Sequence, residues 1–557
     1  LENNLFGVDI NEESVEIAKL SLWLRTAKPK RKLNSLNHNI KCGNSLIDDP
    51  SIAGEKAFDW KKEFPQVFEK GGFDVVIGNP PYVQLQKLGK MSDAYAKCGY
   101  ESFNKSADLY CLFTEQGYKL LKDGGLQSFI MPNKWMIVDY GKELRRFLSK
   151  TSLQQILNFG DIQFFQDATT YVCIFVTQKT DVKNNVSALS LNKKTYHGDF
   201  ENEIPTAMQV FEKETFGEEP WIIRPANHTS ILNTMGNGIP LKKLPINIYR
   251  GILTGYNEAF FIDGKTRDRL IAEDPKSAEI IKPLLRGRDI QAWISNNDDQ
   301  FLIATLPSLN INIDNYIAVK KHLLNFGKER LEQTGENGSR KQTQNKWFET
   351  QDSITYYNEF SKPKIMYPNM TSSFPFIYDE KGYYGNDKTF IITATDESVN
   401  LKTLTAIFNS QLCKLWIWYN CPELQGGTRE IRKSYFENFP VPASIPADKQ
   451  SALSTAADKM QSLNLQLQKK CSRFLSRIKE SFGVNKTTPT LEEFYMHDFP
   501  TLIQEFEKQK IKLSLAKKDE LEEYFDSFKA ECVSIKKEIE DTDKEIDRMV
   551  CELYGVR

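Results

Sequence analysis

Phe73-Asp74-Val75-Val76-Ile77-Gly78-Asn79-Pro80-Pro81-Tyr82 is the stretch on which the reading of the chain turns. Its first half is a short apolar run closed by glycine, the signature of a β-strand. Its second half is a proline-stiffened polar loop at the carboxyl end of that strand. In an open α/β sheet the carboxyl ends of the strands line the ligand crevice, so this loop is predicted to face a bound molecule. At residue frequencies near 5%, a specified tetrapeptide occurs by chance in a chain of this length only about a few times per thousand sequences.

Moving outward, similar runs recur. Residues 5–10 read as a strand, after which Asn11 caps a helix with Glu12 and Glu13 in its first turn and Val15, Ala18 and Leu22 on its apolar face. Residues 39–45 repeat the pattern of strand and polar end. A helix over 109–121 is predicted to stop at Asp123-Gly124-Gly125, where glycine supplies a left-handed turn, and strands follow at 126–131 and 171–177. Strands alternating with helices predict a Rossmann-like, doubly wound α/β domain with a parallel sheet over 1–185. From 186 to 445 the texture shifts to aromatics, Asn, Gly and Pro, which predicts an α+β unit with basic clusters at 284–290 and 425–433. Residues 446–557 are strongly helical. There Leu521, Phe525, Phe528, Cys532, Ile535, Ile539, Thr542, Ile546, Met549 and Leu553 follow an alternating four-three spacing, a heptad stripe whose ordinary role is packing.

Composition narrows the classes. At 557 residues, three to five domains are expected from roughly 100 to 200 residues each. No uninterrupted apolar run reaches the about 18 residues needed to cross a bilayer. Nine scattered cysteines without a Cys-x-x-Cys pair fit reduced thiols in a cytoplasm, and five scattered histidines give no zinc signature. With 73 basic against 74 acidic residues the net charge is -1, so any nucleic acid must meet locally concentrated positive charge. The chain starts with Leu1 and runs straight into a strand, and it is read as a fragment of a longer protein.

The Asn-Pro-Pro-Tyr loop has a chemical rationale. An exocyclic amine such as adenine N6 is a weak nucleophile because its lone pair is delocalised into the ring. The Asn79 side-chain oxygen and the Pro80 carbonyl can accept its two hydrogens and draw the nitrogen toward a tetrahedral form. Pro80 and Pro81 stiffen the loop, and Tyr82 offers a ring for stacking on a base turned out of the duplex. Neither a metal nor a covalent nucleophile is needed.

On these residues the sequence resembles the gamma-class N6-adenine DNA methyltransferases, most closely those of type IIG restriction-modification enzymes, and the resemblance runs over nearly the whole chain. It implies a bacterial cytoplasmic enzyme that transfers methyl from S-adenosyl-L-methionine (AdoMet) to adenine in double-stranded DNA. Asp9, with Ile10 beside it, corresponds to the acidic strand end that holds the cofactor's ribose, and Asn44 with Ser45 to the strand end that meets its adenine. Phe165, with Phe164 as second choice, corresponds to the phenylalanine against the flipped base, and Asp108-Leu109-Tyr110 to the helix after the catalytic loop. Residues 240–445 resemble the recognition domain, with Arg250, Arg286, Arg288, Arg429, Arg432 and Lys433 as candidate DNA contacts. The family's glycine-rich cofactor loop belongs upstream of Asp9, as does any nuclease domain. The readings set against this are a DNA-binding fragment without activity, and a methyltransferase acting on RNA or protein glutamine. For single residues the plain alternatives are a helix cap for Asp9, core packing for the phenylalanines and intramolecular pairing for the arginines.

Overall fold

The computed structural model describes residues 3–26, 36–160, 162–165, 170–182, 184–191, 198–296, 299–336, 338–424 and 427–556. Two compact units divide the chain, 1–226 and 227–557.

The first unit opens with strand β1 (Gly7–Asp9), helix α1 (Glu12–Thr26) and strand β2 (Ile40–Cys42), and β1 and β2 pair in parallel. Asn11 caps α1 as predicted, its side-chain oxygen accepting the Glu13 and Ser14 amides at 2.8 and 3.3 Å. Next come β3 (Phe73–Gly78), α2 (Tyr110–Lys119), β4 (Leu121–Pro132), α3 (Lys142–Lys150), β5 (Ser152–Asn158), β6 (Val172–Gln178), β7 (Val186–Ser190) and β8 (Gln209–Phe211). These six strands form one sheet in the order β3-β4-β6-β5-β7-β8. Phe6 and Phe73 join the two sheets through side chains, their rings 5.8 Å apart, with Phe64 packed on both.

Three expectations are corrected here. The sheet is mixed, since β6 runs antiparallel to both β4 and β5. An apolar run announces burial but carries no direction, and the described part of the β5–β6 connection contains no crossover helix of the kind a parallel pair requires. Gly124 and Gly125 do not stop a helix. They lie inside β4, where Gly124 has φ +80° and the register with β3 jumps from Phe73↔Leu121 to Val75↔Leu126, a bulge only glycine accommodates readily. Lastly, the unit continues past 185, because β7 pairs in parallel with β5 and buries Val186, Ala188 and Leu189.

The second unit contains two four-stranded sheets. One is built from β9 (Ile246–Arg250), β13 (Lys364–Pro368), β14 (Ile377–Asp379) and β16 (Thr389–Ala394), all antiparallel, in the order β9-β16-β13-β14. The other is β10 (Phe261–Asp263), β11 (Ile281–Leu285), β12 (Gln300–Ile303) and β15 (Tyr384–Gly385), in the order β10-β12-β11-β15. Helix α4 (Leu401–Asn409) leads on to two long helices, α5 (Ala447–Phe482) and α6 (Leu515–Tyr554).

The helical tail falls within the second unit. Along α6 the heptad stripe changes partners. Phe525, Phe528 and Cys532 pack with Phe474 and Ile478 of α5, whereas Ile546, Met549 and Val550 enter the core that also holds Ile365, Tyr367 and Ile392. At about 1.5 to 3 kcal/mol for each fully buried large apolar side chain, the stripe is a principal anchor of the second unit.

Candidate functional site

In the first unit, the loop 79–82 leaves β3 at its carboxyl end, as the sequence predicts. Asn79 is exposed, and its side chain has no hydrogen-bond partner among the described residues. Pro80 is buried and Pro81 exposed, so the loop is pinned on one side only. Tyr82 is half-buried. Its hydroxyl donates to the Ile130 carbonyl of β4 at 3.4 Å, and its ring meets the Tyr110 ring edge-on at 6.4 Å. Burial raises the Tyr82 phenol pKa, so it stays a neutral donor near pH 7. Behind the loop, the Leu109 amide donates to Val83 O at 2.8 Å and the Leu85 amide to Ala107 O at 2.9 Å, which clamps residues 83–85 on the segment leading into α2.

Asp108 lies in that clamp, and sequence reasoning did not count it as a site residue. Burial pushes its carboxyl above the usual range, partly offset by hydrogen bonds with Tyr110 and Tyr140. Its only sequence signal is its position at the start of the helix that follows the loop 79–82.

Asp9 and Asn44 stand at the carboxyl ends of the paired strands β1 and β2, with Asp9 opposite Cys42. The Asp9 carboxylate is exposed, and its Oδ1 accepts the Asn11 amide at 2.8 Å. Ile10 is 56% exposed. Asn44 is buried, with its Oδ1 accepting the Leu46 amide at 3.1 Å, and the half-buried Ser45 accepts the Trp60 indole N–H at its carbonyl, 3.0 Å away. Phe165, the first choice for a base-stacking ring, packs against a core cluster with Phe159, Val172 and Leu189. Phe164 instead is 45% exposed and leans on Phe159 with ring centroids 4.5 Å apart. Of the two, Phe164 has the ring surface free to meet a ligand. The segment that follows, 166–169, lies outside the described residues.

The basic candidates of the second unit fall into two groups. Arg286 is gripped bidentately by Asp289 at 2.6 and 3.0 Å and is largely buried. Arg429 is 5% exposed, pairs with Glu423 at 2.8 Å and stacks over Trp418 at 4.1 Å. Both are tied into the fold. Arg432 pairs with Glu430 at 2.7 Å but stays exposed, and Arg250 reaches the Asp387 carbonyl at 3.1 Å with its guanidinium half-exposed. Arg288 and Lys433 are exposed and have no partner among the described residues. Gln425 and Gly426, at the start of the basic cluster 425–433, lie outside the described residues. Among the described residues no cluster of His, Cys, Asp and Glu suits a metal ion, and no helix is long and apolar enough to cross a membrane.

Comparison with known proteins agrees with this division. Residues 3–165 match the Eco57I restriction-modification methylase family, 282–441 the TaqI-like C-terminal specificity domain, and 446–550 a domain of unknown function. The chain is 24% identical over 420 residues to the type II methyltransferase M.BstVI of Geobacillus stearothermophilus, covering 71% of each. It is 32% identical over 195 residues to the type II restriction enzyme and methyltransferase RM.Eco57I of Escherichia coli, covering 32% of this chain and 19% of that one. Among solved structures, the type IIL restriction-modification enzyme MmeI in complex with DNA matches with a TM-score of 0.52 at 12% identity, over 99% of this chain and 63% of that chain. The latter likeness is one of fold.

Proposed function

We propose that the chain, which matches an Eco57I-type methylase over residues 3–165 and a TaqI-like C-terminal specificity domain over 282–441, transfers methyl from AdoMet to the N6 of an adenine within a short duplex sequence. The observation that carries this reading is the loop at the end of β3: Asn79 exposed with its amide uncommitted, on a backbone clamped at 83–85. Asn79 Oδ1 and the Pro80 carbonyl accept the two amine hydrogens and localise the nitrogen lone pair. Tyr82, braced by Tyr110 and Ile130, holds the loop's far end and presents a ring edge to the base, with Phe164 the better placed of the two phenylalanines to cover its other face.

AdoMet, when bound, supplies an electrophilic methyl group on sulfur. The residues at the ends of β1 and β2 fit it in part. Asp9 Oδ1 caps its own turn, which leaves the second carboxylate oxygen for ribose hydroxyls, and exposed Ile10 offers apolar surface to a purine. Asn44 fits less well, since its side-chain oxygen is engaged by Leu46; it shapes the turn that carries Ser45. Methyl transfer is assigned to 1–226, and sequence recognition to the sheets of 227–445, braced by α5 and α6.

The test is the identity of the methylated base. DNA from a methylation-free host expressing the full-length protein is digested to nucleosides and separated by mass. N6-methyldeoxyadenosine is expected, and N4-methyldeoxycytidine in its place would refute the adenine assignment while leaving amine methylation standing.

A further inference from the structure

Arg340 lies in the second unit with 2% of its surface exposed. Its guanidinium makes five hydrogen bonds, all to main-chain carbonyls: two to Leu331 and one each to Thr254, Trp347 and Glu349, at 2.6 to 2.8 Å. Burying a cation is costly unless its donors are met, and here all five are met. The stretch it fastens, residues 332–346, is almost wholly polar. Such a segment cannot hold a shape by burying apolar surface, so the guanidinium replaces a core as the cross-link.

Main-chain hydrogen bonds tie residues 340–343 back to 332–335. The Arg340 amide donates to Glu332 O at 2.9 Å, Gly335 N to Arg340 O at 3.0 Å and Thr343 N to Gln333 O at 3.0 Å. Its side chains then alternate. Thr343 turns in to Gln333 at 2.7 Å, and Asn345 turns in to the Thr350 and Gln351 carbonyls at 3.2 and 2.9 Å. Gln342, Gln344 and Lys346 are exposed, and neither glutamine has a hydrogen-bond partner among the described residues. Lys341, next to the anchored Arg340, is exposed, and it and Arg250 both favour the charged form of Asp352.

Two residues of extended chain span about 6.6 Å, close to two base-pair steps of about 3.4 Å. A glutamine amide matches the major-groove edge of adenine. We infer that the segment 340–346 is a base-reading element, with Gln342 and Gln344 meeting base edges in the major groove of duplex DNA, Lys341 meeting a phosphate, and Arg340 as the positioning residue. The inference rests on the proposed DNA methyltransferase function.

The experiment uses the full-length protein and its Gln342→Ala/Gln344→Ala variant, expressed in a methylation-free host whose genomic DNA is read by single-molecule sequencing for modified bases. Both side chains are exposed, so an unchanged Tm is expected. One or two positions of the methylated motif should relax by about tenfold or more, with the other positions retained. Arg340→Lys, which keeps the charge and loses the fork, should relax the same positions. An unchanged motif at the parental methylation level would overturn the inference and leave the enzyme reading intact, and so would a uniform loss with the motif unaltered. Absence of any methylated motif with the unsubstituted protein would remove both.

Discussion

The methylase unit and the recognition unit display their polar side chains in opposite ways. In residues 1–226 the groups proposed for the site stand at strand ends and are left free by the fold: Asn79 has no partner among the described residues, and Asp9 uses one oxygen to cap its own turn. In residues 227–557 four of the six candidate cations are held in ion pairs, Arg250 by Asp387, Arg286 by Asp289, Arg429 by Glu423 and Arg432 by Glu430. A strand-to-loop junction fixes where its residues go, so local sequence tells their position. A charge is placed by whichever opposite charge it finds in three dimensions, and that partner is invisible in the local pattern.

This contrast can be broken at its strongest point by Arg429. Arg429→Ala strips the partner from Glu423, which is itself only partly exposed, and uncovers Trp418, so a stability loss of about 2 to 3 kcal/mol is expected. Chemical denaturation measures it. If stability held and duplex affinity fell instead, Arg429 would be a DNA contact and the contrast would fail. A smaller effect is expected from exposed Arg288 and Lys433. Substituting either with Ala should weaken binding about equally across sequences and lower the slope of log affinity against log salt by about one. Titrations at several salt concentrations check this, and an unaltered slope would take both residues off the interface.

The smallest effect concerns pH. The folded Asp108 carboxyl is held above its ordinary pKa by burial. The folded state therefore binds its proton more tightly than the unfolded chain does, and stability falls as pH rises through the interval between the two values. Asp108→Asn should raise Tm slightly above that interval and leave it unchanged below it. A variant that loses stability at neutral pH would show that the charged form is the one the clamp requires.

Legibility followed the same division. The strand before Asn79, the cap at Asn11 and the heptad stripe of α6 were readable because each is set by spacing or by a single turn. The antiparallel course of β6 and the addition of β7 and β8 beyond residue 185 were not, since strand pairing is decided between distant segments. The choice between Phe164 and Phe165 was equally hidden: adjacent rings on an irregular segment differ only in which one the cluster around Phe159 accepts. Arg340 left no pattern at all, because its partners are carbonyls spread from Thr254 to Glu349.

The most direct test is Asn79→Ala in the full-length protein, with methyl transfer and duplex binding measured side by side on the same DNA. The account predicts that methyl transfer falls at least about 100-fold, the scale of losing one preorganised polar contact, while duplex affinity stays within about twofold, because Asn79 is exposed and supports nothing in the fold. Near-parental turnover in that variant would contradict it.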